Sequence, residues 1–194
     1  MIHTRDLVTL FRSPQTLIGR LSQVQPSPRT VVVQIALPLA LVKSGAVLLR
    51  ASLSGNLRIG IVLSISSLVL SLSAYAATAT AMPMLGRQVG VAVTTAQAYL
   101  LSAIALIPTW LAGALFVVSE DPALLWVWSR GTAVLISGYG LYLLYAGLKE
   151  MGVAAAERLT LTTLVTVLYL AIFAALFLLF GISSHVLLFM LGAS

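Results

Sequence analysis

Cysteine is absent from all 194 residues, which excludes disulfides, thiolate metal sites and a cysteine nucleophile. Charge is also scarce: 8% of the residues are charged against 60% hydrophobic, whereas a domain that faces water carries about a quarter charged. The solvent around this chain is therefore largely lipid. Acidic residues are scarcest of all, five Asp and Glu in total, and none falls inside an apolar stretch. That counts against proton-coupled transport and intramembrane aspartyl proteolysis, both of which depend on such carboxylates. The two histidines, His3 and His185, stand near opposite ends. His185 lacks a nucleophile elbow and a nearby orienting acid, so nucleophilic hydrolysis is not expected. The residues point to no enzyme, no cofactor and no metal site.

The basic excess gives a net charge of +6, but no dense Lys/Arg patch with interleaved aromatics accompanies it, so nucleic acid is not an expected partner. Basic residues in short loops beside lipid headgroups set orientation instead.

A hydrocarbon core about 30 Å thick takes roughly 20 apolar helical residues to cross, because backbone polar groups in lipid must be satisfied within the segment. Five stretches fit, at about 30–49, 60–82, 98–118, 131–148 and 160–181. The expected fold is an all-α membrane protein, a bundle of five transmembrane helices over 29–182 preceded by a short amphipathic interfacial helix. No cleaved signal peptide is expected in the first 28 residues. There Leu7, Leu10, Phe11, Leu17, Ile18 and Leu21 recur at helical spacing with Arg12 and Arg20 among the polar positions, as in a segment that lies on a membrane surface. Ser13 before Pro14 is placed to cap that helix, and Gln25 to Pro28 breaks it.

Cytoplasmic loops are enriched in Lys and Arg. With the N-terminus inside, Arg5, Arg12, Arg20, Arg29, Arg87, Lys149 and Arg158 are cytoplasmic, while Arg50 and Arg58 lie outside. The expected arrangement is an inner-membrane protein with its N-terminus cytoplasmic and its C-terminus periplasmic. Glu120 and Asp121 in the second outer loop are positioned to neutralise Arg50, Arg58 or Lys43. Trp126 and Trp128 mark the interface where the fourth span begins, and residues 183–194 form a short outer tail. Pro108 is expected to kink the third span.

Two small-residue faces stand out. Ser64, Ser67, Ser71, Ala74, Thr78 and Ala81 line one side of the second span, where small side chains let another helix approach closely. In the fourth span Gly138, Gly140 and Gly147 accompany Tyr139, Tyr142 and Tyr145; glycine permits tight packing and the phenols need polar partners or an interface. Both faces are candidate packing or partner surfaces, toward helices of the same chain, another copy or another membrane protein. Gly138-Tyr139-Gly140 sits inside a continuous apolar run and does not suit a filter built from extended backbone. Lys43 is the charge well inside a span. An intramembrane ionisable group points to function by default, although Lys43 lies close enough to the outer boundary for its stem to snorkel.

The run Ile107-Pro108-Thr109-Trp110-Leu111-Ala112-Gly113, then Tyr139-Gly140-Leu141-Tyr142-Leu143-Leu144-Tyr145-Ala146-Gly147-Leu148, with Leu10-Phe11-Arg12-Ser13-Pro14 near the start, resembles bacterial Yip1-domain membrane proteins. The resemblance implies five membrane helices, a cytoplasmic N-terminus and no settled biochemical activity. Lys149 departs from the proline that commonly follows the Gly-Leu pair in that family. Eukaryotic relatives bind Rab-type GTPases through a longer N-terminal region with its own motif, which these residues lack, so GTPase binding is not expected here. The resulting expectation is a non-catalytic Yip1-type inner-membrane protein that organises or accompanies other membrane components through helix packing. Two alternatives stay open: a small oligomeric transporter or channel with Lys43, Gln34 and the serines of the second span along a polar path, and an accessory subunit of a larger energy-converting membrane complex.

Overall fold

The computed structural model describes residues 9, 12–116 and 122–190, with side chains described outside 22, 24, 115–134, 137, 177 and 180–190. The described residues are helical with short links and contain no strand. We number six helices: α1 (Pro14–Val24), α2 (Pro28–Leu53), α3 (Leu57–Gln88), α4 (Thr95–Phe116), α5 (Pro122–Glu150) and α6 (Ala155–Met190).

Among the described residues, four helical segments are long and apolar enough to cross a membrane: Pro28–Leu53, Leu57–Gln88, Thr95–Ala114 and Ala155–Leu176. Pro28–Leu53 and Leu57–Gln88 extend the first two predicted spans at both ends, while Thr95–Ala114 and Ala155–Leu176 begin a few residues before the third and fifth. The extensions carry polar groups such as Arg58, Arg87 and Gln88, which suit the headgroup layer once a helix has left hydrocarbon. The predicted fourth span lies within α5, whose side chains are described only from residue 135 onward. At the other end, α6 continues to Met190, so residues 183–190 of the expected tail are helical. Ser183, Ser184 and His185 contain no proline or glycine to stop the helix.

α4 is the hub of the bundle: it packs against α2, α3 and α5, while α6 lies on α3 and more sparsely on α5. Its membrane window is 61% buried, against 28% or less for the other three. Tyr75 of α3 fills the central joint. It is 1% exposed, donates to the Tyr99 carbonyl at 3.1 Å and meets the rings of Tyr99 and Trp110 edge-on at 5.8 and 5.9 Å. The buried phenol thereby keeps a polar partner, as a tyrosine in an apolar core requires. The outward surface is apolar: Leu41, Val42 and Leu49 on α2, Ile61, Leu63 and Ile65 on α3, and Val167 and Leu170 on α6 are exposed. In water such a surface would drive aggregation; against lipid tails it costs nothing.

Local chemistry sets the helix ends. Ser27 caps α2, its hydroxyl accepting from the Thr30 amide at 3.2 Å with Pro28 in the first turn. Ser13 makes no side-chain cap for α1, contrary to expectation. Its amide bonds to the Thr9 carbonyl at 2.7 Å, so the chain enters α1 from a preceding turn, with Ser13 at φ −148° and ψ 66°. Thr94 and Gln97 form a reciprocal capping box at α4, with Thr94 N to Gln97 Oε1 at 2.9 Å and Gln97 N to Thr94 Oγ1 at 3.3 Å. Within α2 the residues Val32–Ala36 widen into a π-turn just ahead of Pro38. The Pro38 ring would press on the carbonyl four residues earlier, and a wider turn relieves that contact. α4 and α3 continue through Pro108 and Pro83.

α1 docks on α5. Leu17 and Ile18 are 4% and 0% exposed, and Ile18 lies beside Gly147. The apolar stripe read from the sequence thus meets protein on the end of the bundle, not lipid alone, because the glycine at 147 leaves a recess for the isoleucine. The expected contributions of Leu7, Leu10 and Phe11 lie outside the described residues.

Candidate functional site

Lys43 sits on α2 about 15 Å of helix before Leu53, at 1.5 Å per residue. Its side chain does not rise to the nearby end. Nζ donates to Ser71 Oγ on α3 at 3.2 Å, and the stem lies across α4 at Gly113, where a Cβ would stand 3.0 Å from Cγ and Cε. Ser71 lies deeper along the hairpin than Lys43, since Ser64 is the α3 residue level with Ser44, its hydroxyl donating to the Ser44 carbonyl at 2.8 Å. The snorkelling reading is thereby corrected. Helical side chains lean toward the N-terminus of their own helix, and for α2 that direction leads away from the near interface and into the bundle. Ser44 Oγ is buried beside this pair with no hydrogen-bond partner. Gln34 is on an exposed position of α2 and does not join them. The proposed countercharges Glu120 and Asp121, and the interfacial Trp126, Trp128 and His185, lie outside the described side chains.

The small-residue face of α3 is taken up within the bundle. Ser64 and Ser71 engage α2, Ala74 is fully buried, and Thr78 is 4% exposed with its hydroxyl bonded to the Ala74 carbonyl at 2.8 Å. Ser67 and Ala81 are half-buried.

On α5 the three glycines part company. A Cβ on Gly140 would stand 2.5 Å from the Ala105 carbonyl oxygen, and one on Gly147 would strike Leu101, so both are contact points with α4. Gly138 has nothing within 4 Å of a Cβ and is exposed, as are Leu135 and Tyr142 at 74% and 45%. Tyr142 stacks on Tyr139 at 5.9 Å. Tyr145 turns the other way and receives the Arg158 guanidinium over its ring at 4.8 Å.

A cavity of about 190 Å³ lies where α3, α4, α5 and α6 meet, with Thr78, Ser102, Thr109, Gly140, Thr166 and Tyr169 in its wall. Ser102 is 3% exposed and its hydroxyl has no partner. Among the described residues no three His, Cys, Asp or Glu come together in a cluster that could hold a metal ion.

Gly113, Ser44 and Ser102 were not singled out by sequence reasoning. Each matters only because of its level relative to a neighbouring helix, and single-chain periodicity carries no such signal. Compared with protein families, with curated proteins and with solved structures, the chain matches none.

Proposed function

We propose that this chain is a non-catalytic inner-membrane protein of the Yip1 type, crossing the bilayer five times with its N-terminus cytoplasmic, that associates with another membrane protein or a second copy of itself through the outward face of α5. α5 supplies the fifth crossing: its 29 residues give a rod of about 43 Å at 1.5 Å per residue, and it runs beside α4.

The observation that carries the reading is Gly138. A glycine inside a helix costs roughly 0.5–1 kcal/mol relative to alanine, and Gly140 and Gly147 recover that by close contact with α4. Gly138 makes no such contact among the described residues. Beside it, the Tyr142 hydroxyl is exposed and has no hydrogen bond among the described residues, although a phenol in lipid needs a polar partner. A small residue for approach and an unpaired donor on one face are what helix association in a membrane uses. Gly45 on α2 is equally open, but its exposed neighbours are Leu41, Val42 and Leu49, which offer lipid tails all they need.

The test is a photoreactive phenylalanine analogue in place of Tyr142, irradiated in native membranes. A discrete protein adduct, lost when Gly138→Leu is added and kept with Gly45→Leu, supports the reading. Adducts with lipid alone contradict it.

A transport reading draws on a different observation, the inward-facing Lys43 with Ser71 and the unpaired Ser44 hydroxyl. Solute flux into liposomes that disappears with Lys43→Met would favour it; equal absence of flux from both proteins would remove it.

A further inference from the structure

The Arg158 guanidinium lies over the Tyr145 ring at 4.8 Å, and no carboxylate among the described residues pairs with it. Glu157 precedes it in sequence and Glu150 closes α5, yet neither forms an ion pair with it. Its Nε is closed off from solvent without a partner, whereas the two terminal nitrogens are not closed off and donate to nothing among the described residues. The guanidinium is therefore laid against the protein along its inner edge, and its end-on fork is left accessible. Among the described residues the Tyr145 hydroxyl makes no hydrogen bond either, and it too stays open.

Both groups sit near the ends of their helices, where lipid headgroups lie. Tyr145 is five residues before Glu150, the last of α5, and Arg158 is the fourth residue of α6, so each is within about 8 Å of a helix end at 1.5 Å per residue. Helical side chains lean toward the N-terminus of their own helix, which carries Arg158 further toward that boundary. Around the link stand Lys149, Glu150, Glu157 and Arg158, two charges of each sign, so no diffuse basic surface gathers anions here. What the link presents is one planar donor pair braced on a ring, with a phenol alongside. A guanidinium fork matches two oxygens of one phosphate in a way that a point charge does not.

We propose that Arg158 and Tyr145 bind the phosphate of an anionic phospholipid, the terminal nitrogens of Arg158 gripping two of its oxygens and the Tyr145 hydroxyl donating to it as well. The ring of Tyr145 positions the fork before any lipid arrives. Free phosphate would bring the same oxygens from water, but the level of the two residues in the helices favours the lipid. The inference does not depend on the association proposed for the outward face of α5.

The experiment takes the full chain in mild detergent, adds phosphatidylglycerol and phosphatidylcholine in equal amounts, and weighs the intact complexes by native mass spectrometry. Wild type is expected to retain phosphatidylglycerol ahead of phosphatidylcholine. Arg158→Gln should reduce that preference about tenfold, as the loss of a charge-assisted hydrogen bond implies. Arg87→Gln removes the same charge at the end of α3 and should leave the preference near wild type. Arg158→Lys keeps the charge but not the fork and should recover little of it, while Tyr145→Phe keeps the ring, loses the hydroxyl and should lower it about threefold. Equal losses from Arg158→Gln and Arg87→Gln overturn the proposal in favour of diffuse attraction. Full retention by Arg158→Lys also overturns it, as does equal retention of the two lipids by wild type. Displacement of the retained lipid by millimolar inorganic phosphate overturns the lipid as the source; a lipid that stays supports it.

Discussion

The side chain of Lys43 crosses α4 at Gly113, with Cγ and Cε both 3.0 Å from where a Cβ would stand, and ends on Ser71 of α3. One basic residue thus ties three helices together at a level where lipid would surround a stem that pointed outward. Glycine at 113 is what leaves the passage open, since any larger side chain would meet the stem along three of its carbons.

Lys43→Met keeps the length of the side chain and removes the ammonium. Replacing an inadequately paired buried charge by an apolar isostere is commonly neutral or stabilising, so the variant should melt no lower than wild type in detergent and should gain on the order of 1 kcal/mol. A loss of stability would show that the amine has a further partner worth more than its desolvation. The measurement is thermal unfolding in one detergent at fixed lipid content.

Gly113→Leu should destabilise by about 1–3 kcal/mol, the usual cost of overpacking. Combined with Lys43→Ala, which frees the passage, much of that cost should be recovered. A double-mutant cycle with no coupling beyond about 0.5 kcal/mol would show that the two residues do not share the space.

The α5 glycines separate cleanly. Gly140→Ala drives a Cβ onto backbone at Ala105, which cannot swing aside, and should cost about 1–3 kcal/mol. Gly138→Ala meets nothing and should stabilise the isolated chain by roughly 0.5–1 kcal/mol through lower unfolded-state entropy. If Gly138→Ala proves as damaging as Gly140→Ala in detergent, the assignment of faces on α5 is wrong.

Two Ser-Pro pairs that look alike in the sequence should behave differently. Ser27→Ala removes the cap of α2 and should cost about 1 kcal/mol, while Ser13→Ala removes no cap and should be close to neutral. Parallel unfolding measurements decide the point, and equal costs would contradict it.

Much of the helical layout was legible because lipid forces long apolar segments to be helical, so each of the five expected stretches lies on a helix apart from residues 117–118, which are outside the description. The small-residue faces at Ser71, Ala74 and Thr78 and at Gly140 and Gly147 were legible for the same reason: close approach needs small side chains at helical spacing. Which of them would be used internally was not legible. Gly138 and Gly140 differ by two residues, hence by slightly more than a half-turn of helix, and only the position of α4 decides that one is buried and the other open. Lys43 was misread because distance to the nearer end was considered without the lean of the side chain along its helix. Ser13 and Ser27 share a motif but differ in backbone conformation, at φ −148°, ψ 66° and φ −61°, ψ 150°, a difference no local pattern announces.

The absence of cysteine makes the crossing number directly measurable. Single cysteines replacing Gln88, Asn56 and Ser194 can be probed in intact cells with a membrane-impermeant maleimide, then again after permeabilisation. Five crossings with the N-terminus inside predict that Asn56→Cys and Ser194→Cys react in intact cells and that Gln88→Cys reacts only after permeabilisation. Labelling of Ser194→Cys only after permeabilisation, together with Gln88→Cys, would put both ends of the bundle on one side and contradict the account.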